Sequence, residues 1–328
     1  LAGYPDAVCA AIEEHHLPDA SGGPLPATEA GKILAAADKL DTLVVAFALG
    51  KQPTGSRDPF GLRRAAIGLC RLAVEGGLEI DLWDPPQLDF HVLASEQQVE
   101  ALRLTPSTPE DIQEALGPGV PDGLVTELMQ LPREMFVPLR PAPLVPILFD
   151  LPEFVFDRLE GLLDIPVEYT RAARGAPSRR YLRRTARLAL ALAALDGERL
   201  TKLHESYTRA WRLAAQGLPA REEDPDEEYH HAYERATTVV PDLLTEPAEV
   251  ELSRVTTEAE AAIRAAVEAE DFDTAFDAAV ELAPPLARFF DEVLVMAENA
   301  GLRRNRLALL YQVAETLRQL GDFSQIPL

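Results

Sequence analysis

The stretch ADKLDTLVVAFALGKQPTGSRDPFGLRRAAIGLCR, residues 37–71, encodes a helix, a polar turn and a second helix. Ile33, Ala37, Leu40, Val44 and Phe47 recur at helical spacing, and Gly50 follows them where a helix would end. Asp58 followed by Pro59 reads as an N-cap and a proline at the first helical position. Between the two helices, KQPTGSR is too polar and too rich in proline and glycine to be core.

Helical signals continue on both sides of this segment. A short helix is expected over 6–16, and Thr28 is expected to cap the helix that runs to Gly50. The helix after Asp58 should end near Gly76–Gly77. Prolines crowd residues 85–150 and exclude long helices there, so this stretch reads as a connector with short helical pieces. Further helices are expected over 153–163, 178–195, 198–216, 257–270, 272–282, 285–299 and 302–320, with 221–235 as an acidic break. Phe289, Phe290, Val293, Leu294 and Ala297 form one apolar stripe; Leu310, Val313, Leu317 and Leu320 form another. Alternating β-branched segments are absent, so the fold class is all-α, with domains at 1–84 and 151–328 joined by 85–150.

Composition narrows the class of protein. Hydrophobic content of 47% with 26% charged residues fits a globular chain. No apolar run reaches the roughly 18 residues a membrane helix needs. No basic segment opens a signal peptide, and the first residue is not Met, so the chain reads as a piece of a longer cytoplasmic protein. Cys9 and Cys70 both stand in apolar helical contexts and read as small core residues in a reducing compartment.

The net charge of −23 argues globally against nucleic acid, but its distribution is uneven. Residues 221–281 hold 19 acidic and 4 basic side chains. Residues 169–195 hold Arg171, Arg174, Arg179, Arg180, Arg183, Arg184 and Arg187 with no acid. Such a segment either binds an anionic partner or pairs with the acidic stretch in the folded chain. Arg303, Arg304 and Arg306 form a second cluster at a helix start, against the helix dipole; Glu292 or Glu298 would neutralise them.

Catalytic patterns are not found. The chain lacks GxxxxGK[ST], GxGxxG, CxxC and GxSxG. His15 and His16 with Asp38 and Asp41 are the weak candidate metal ligands, against the simpler reading of a helix end and local pairing.

Residues 37–50 followed by 53–72, preceded by EEHHLP at 13–18 and by Leu25–Pro26, closely resemble the bacterial glycyl-tRNA synthetase beta subunit. FFDEVLVMAENAGLRRNRLALLYQVAETLRQLGDFSQI, 289–326, resembles the end of that subunit's anticodon-binding domain. Residues 81–150 carry little of the resemblance.

The resemblance implies an HD-like helical domain in the first part. Of the HD metal set (a His, a His-Asp pair and a later Asp), only the later Asp has a counterpart, Asp38. It implies that this part contacts tRNA and is not catalytic, and that residues from about 151 form the helical anticodon-binding domain shared with arginyl- and cysteinyl-type synthetases. It further implies glycine tRNA as partner and an alpha subunit that activates glycine with ATP. No cofactor and no metal are expected in this part.

On that reading, the expected tRNA-binding residues of the second domain are Arg179, Arg180, Tyr181, Arg183, Arg184, Lys202, Arg209, Arg303, Arg304 and Arg306, with Tyr207 and Trp211 extending the surface. In the first domain they are Lys51, Thr54, Ser56, Arg57, Arg63 and Arg64, around the turn. The acidic 221–281 region is expected to face away from the tRNA. Two other functions stay open: an HD-type metal-dependent phosphohydrolase and a non-catalytic helical scaffold.

Overall fold

The computed structural model describes residues 3–20, 22–48, 50–53, 58–82, 150–219 and 227–328. The described residues are helical, with no strand among them, so the fold is all-α. Contacts divide the chain into two compact units, Leu1–Leu162 and Leu163–Leu328. The connector expected over 85–150 lies outside the described residues except for Asp150.

The first unit contains α1 (Asp6–Glu14), α2 (Glu29–Ala48), α3 (Leu62–Val74) and α4 (Leu151–Leu162). α2 packs on α1 and α3, and α4 packs on α3. The sequence placed α4 at the start of the second domain; its contacts instead bury Leu151, Val155, Phe156 and Leu159 within the first unit. The Phe154 ring lies 5.4 Å from that of Phe47.

The apolar stripe of α2 is turned relative to the expectation. Ile33 is 58% exposed, while Ala36, Leu40, Leu43, Val44 and Phe47 are buried. Gly50 has a positive φ of 64°, which ends the helix where expected. Thr28 caps α2 through the Gly31 amide, and the Glu14 carboxylate accepts from both the Thr28 amide (3.0 Å) and its hydroxyl (2.7 Å). These bonds hold the Glu14 carboxyl below its ordinary pKa and tie the end of α1 to the start of α2.

Asp58 acts at a distance from where the sequence placed it. Its carboxylate accepts from the Leu62 amide (2.8 Å) and the Arg63 amide (3.0 Å), but α3 begins only at Leu62, after Gly61 at φ 68°. Pro59 therefore lies in the turn before the helix. Lys39 is buried and donates to the carbonyls of His16 and Leu17; burial pushes its pKa down. Cys70 is buried, and burial pushes its thiol up to about 12; Cys9 is only half-buried.

The second unit contains α5 (Val167–Arg174), α6 (Leu182–Ala194), α7 (Gly197–Ala214), α8 (Glu227–Thr237), α9 (Pro247–Glu268), α10 (Phe272–Val280), α11 (Ala283–Glu292) and α12 (Ala300–Arg318). Its axis is the pair α7 and α12. They run antiparallel: Tyr207 meets Phe323 at 5.9 Å, Trp211 meets Tyr311 at 6.4 Å, and Gly217 abuts Leu307. α9 packs on α10, α11 and α12, while α8 rests on α12 through the 2.6 Å bond between the Tyr233 and Tyr311 hydroxyls.

Some boundaries of the second unit differ from the sequence reading. α9 starts ten residues before the expected 257, because Pro247 fits the first helical turn and Glu246 with Glu249 forms a capping box. α11 ends at Glu292, so the expected helical stripe through Ala297 is broken. α8 occupies much of the expected acidic break.

One close approach locks the end of α5 against the chain after α12. The Asp322 amide donates to the Ala172 carbonyl at 2.8 Å, and a Cβ on Gly175 would stand 2.7 Å from the Asp322 amide nitrogen. Neither backbone can move without breaking that bond. Gly175→Ala is expected to cost about 1–3 kcal/mol in urea denaturation, the usual range for overpacking; an unchanged midpoint would contradict the close fit.

Candidate nucleic-acid interface

The arginine run of 171–187 is split by the fold into parts with different partners. Arg183 and Arg187 stand one turn apart on α6 and both donate to Glu270, Arg183 at 2.6 Å. Glu270 sits in the left-handed region at φ 57°, just past the end of α9. Arg199 at the start of α7 is held by Asp196 at 2.6 Å and Asp277 at 2.8 Å. Part of the basic segment thus pairs with the acidic one, as the compensation reading expected, through Arg183 and Arg187 on Glu270.

Arg180, Tyr181 and Arg184 remain together. The guanidinium of Arg180 lies 5.2 Å from the Tyr181 ring centroid and that of Arg184 lies 4.9 Å from it, both within cation–π range. Arg184 and Ser178 line a half-open cavity of about 530 Å³, which α9 and α12 close with Glu260, Arg264, Tyr311 and Gln312. The Ser178 hydroxyl and the Arg184 Nε are buried and have no hydrogen-bond partner among the described residues. Arg179 is exposed. Two guanidiniums around a tyrosine can meet both phosphate oxygens and the face of an unstacked base.

Other expected residues are dispersed. Lys202 pairs with Glu198 at 2.8 Å on the surface of α7. Arg209 lies over the Phe290 ring at 3.9 Å. Tyr207 is buried against Phe323 and so adds nothing to a surface; Trp211 is half-buried. Arg303 donates to the Ala297 carbonyl at 3.0 Å, and Arg304 is exposed.

Arg306 is a correction. Its side chain is 7% exposed and bonds Glu249, which is fully buried, while its Nη1 donates to the Leu294 carbonyl at 2.9 Å. Glu292, one of its expected partners, is bonded to Arg288 instead. Burial removes Arg306 from any RNA surface and makes it a link between α9, α12 and the chain after α11.

In the first unit, Lys51 and Arg64 are exposed and Arg63 is half-buried at the start of α3. Thr54, Ser56 and Arg57 lie outside the described residues. Asp38 is exposed, and no group of three or more His, Cys, Asp or Glu that could hold a metal occurs among the described residues. His15 Nδ1 lies 2.6 Å from the Ile12 carbonyl of its own helix. No helix of the described residues is long and apolar enough to cross a membrane.

Residues 1–164 match the family described as glycyl-tRNA synthetase beta subunit, and residues 207–326 match the DALR anticodon binding domain. Among similar proteins is the glycine–tRNA ligase beta subunit of Chromohalobacter salexigens, 28% identical over 99% of this chain and 39% of its own length. That of Desulforudis audaxviator is 31% identical over 99% of this chain and 39% of its own. That of Dinoroseobacter shibae is 31% identical over 99% of this chain and 42% of its own. The chain therefore spans about two fifths of the length of these relatives. Matched over half its length by the one family and over most of its helical second unit by the anticodon-binding domain, the chain belongs to the glycyl-tRNA synthetase beta subunit family.

Proposed function

We propose that this chain is the tRNA-holding part of a glycine–tRNA ligase, serving an alpha subunit that activates glycine with ATP in the cytoplasm. The observation that carries the reading is the order of the two matches: beta subunit over 1–164, then anticodon-binding domain over 207–326. ATP and catalysis belong on this reading to the complete enzyme, and this part contributes tRNA contacts alone.

The geometry supports particular residues for those contacts. In the second unit they are Arg179, Arg180, Tyr181 and Arg184, joined by Arg209, Arg303 and Arg304. Lys202 takes part as a surface charge, since its bond to Glu198 is exposed and weak. In the first unit they are Lys51, Arg63 and Arg64; Thr54, Ser56 and Arg57, outside the described residues, join them on the sequence alone. Arg183 and Arg187 serve the fold through Glu270.

A phosphohydrolase would need a metal set around Asp38, and nothing among the described residues assembles one. A scaffold for protein alone would bind no tRNA. Fluorescence anisotropy with glycine tRNA at several salt concentrations tests the proposal: affinity should fall linearly on a log–log plot, as counterion release requires. Absence of binding at low salt would return the chain to the scaffold reading.

The division between pairing and contact gives a separate expectation. Arg183→Ala should weaken the link between α6 and the end of α9 while leaving tRNA affinity within about twofold, because a largely buried Glu270 keeps only Arg187. Thermal unfolding and anisotropy on the same variant check both halves.

A further inference from the structure

Two helix faces and the start of a third helix wall the half-open cavity of about 530 Å³ in the second unit. On α9 the lining positions are Glu260, Arg264, Val267 and Glu268, which helical spacing sets on one face. On α12 and just past its end they are Tyr311, Gln312, Glu315 and Gln319. Ser178 and Arg184 close the cavity from the start of α6. The Arg183–Glu270 bond ties the end of α9 to α6, and the Asp322–Ala172 bond ties the chain after α12 to the end of α5. Arg184, Ser178, Glu268 and Gln319 therefore gather at one end. Gln312 lies seven residues before Gln319, roughly 10 Å away along the helix.

Most charges around the cavity are already paired. Arg264 bonds Glu260, and Arg318 bonds Glu315. Arg184 and Glu268 are left over: apart from the Tyr181 ring beside Arg184, neither has an ion pair or a side-chain hydrogen bond among the described residues. Each also stands at the helix end that opposes its sign. Arg184 is in the first turn of α6, and Glu268 is the last residue of α9, so helix stability does not account for them. The carboxamides of Gln312 and Gln319 likewise have no partner among the described residues. The Ser178 hydroxyl and the Arg184 Nε are buried without one. Unspent polar groups that converge on one cavity are the mark of a ligand site.

We propose that this cavity binds a free nucleoside monophosphate. The phosphate bonds the Arg184 guanidinium and the Ser178 hydroxyl. The ribose diol donates to the Glu268 carboxylate, as it does to the acidic residue of dinucleotide sites. The base edge meets the Gln312 carboxamide, whose donor and acceptor match the ring nitrogen and amino group of adenine. Phosphate, ribose and base thus follow the cavity from its Arg184 end to its Gln312 end. Its volume is that of sites for cofactor-sized ligands, and a free amino acid would fill only a fraction of it. The site goes beyond the tRNA contacts proposed above. Arg184 borders both, whereas Glu268 and Gln312 belong to the cavity alone.

Isothermal titration of the whole chain with AMP, without RNA, tests the site. Saturable binding at or below about 1 mM is expected. Glu268→Ala should lower the affinity at least fivefold. AMP lacking both ribose hydroxyls should bind the native chain as weakly as AMP binds that variant, and the variant should not tell the two nucleotides apart. Gln312→Ala should remove a preference for AMP over UMP. Glu258→Ala, on the same helix but outside the cavity, should change nothing; circular dichroism confirms the fold of each variant. No saturable binding at millimolar AMP overturns the proposal, as does binding that Glu268→Ala and Gln312→Ala leave unchanged. If AMP does not bind and Glu268→Ala instead lowers affinity for glycine tRNA, the cavity serves RNA and the free-nucleotide site is overturned. A chain that binds AMP with these dependences but binds no tRNA keeps this inference and overturns the function proposed above.

Discussion

Arg306→Met is expected to lower the stability of the second unit by about 3–5 kcal/mol, the cost of leaving one member of a buried ion pair alone. Glu249 is fully buried and would keep its charge with the amides of Thr245 (2.7 Å) and Glu246 (2.9 Å) and a long bond from the Thr245 hydroxyl (3.4 Å) to offset it. Urea denaturation followed by circular dichroism measures the loss. Adding Glu249→Gln should recover much of it, because glutamine removes the charge and its carbonyl oxygen can still accept from both amides, which bond the same carboxylate oxygen. A loss below about 1 kcal/mol would place the pair among ordinary surface bridges.

The same pair predicts a pH dependence with a definite sign. Burial by itself would raise the Glu249 pKa, but the Glu246 amide, Arg306 and the Thr245 amide outweigh it and hold the carboxyl below the unfolded value of 4.5. A depressed carboxyl adds stability that is fully present above the unfolded value and lost as pH falls through the folded one. The gap between the native chain and Arg306→Met should therefore narrow as the solution is acidified below about pH 4.5. A gap that stays constant down to strongly acid pH would contradict that assignment.

The second large effect is on RNA. Arg180→Glu with Arg184→Glu places two carboxylates beside Tyr181, where two guanidiniums now lie within 5.2 Å of its ring. Affinity for glycine tRNA at moderate salt should drop by at least tenfold, with the secondary structure retained. Each lost phosphate contact also lowers the salt slope by about one. Equal affinity in the double variant would remove this cluster from the interface.

Much of this was legible in the sequence because local chemistry decided it. Thr28 and Gly50 bound α2 as read, and the helical spacing over 302–320 gave α12 almost to the residue. Pairing of the arginine run with the acidic stretch stood as one reading; what was missed is which side chains meet, because the partners are distant. Arg183 and Arg187 are 87 and 83 residues from Glu270, and nothing local marks that pairing.

Arg306 was a different kind of miss, since a signal was present. It lies four residues before Leu310 on the apolar stripe that continues through Val313 and Leu317. Glu249 likewise sits three residues before Leu252 on the stripe that runs through Thr256, Ala259 and Ile263. A charge on each of two buried stripes is the signature of a buried pair. The RRNR spelling at 303–306 drew Arg306 into a surface cluster instead. At α9, the acidic composition around Pro247 hid a helix start that proline and the capping box favour.

On the proposed function the chain holds glycine tRNA through its anticodon-binding unit. The decisive measurement is competition of glycine tRNA against the same tRNA with its anticodon replaced, at one salt concentration, for the unaltered chain. The replaced tRNA should bind at least tenfold more weakly. Equal affinity would contradict it and leave a surface that holds RNA without reading the anticodon.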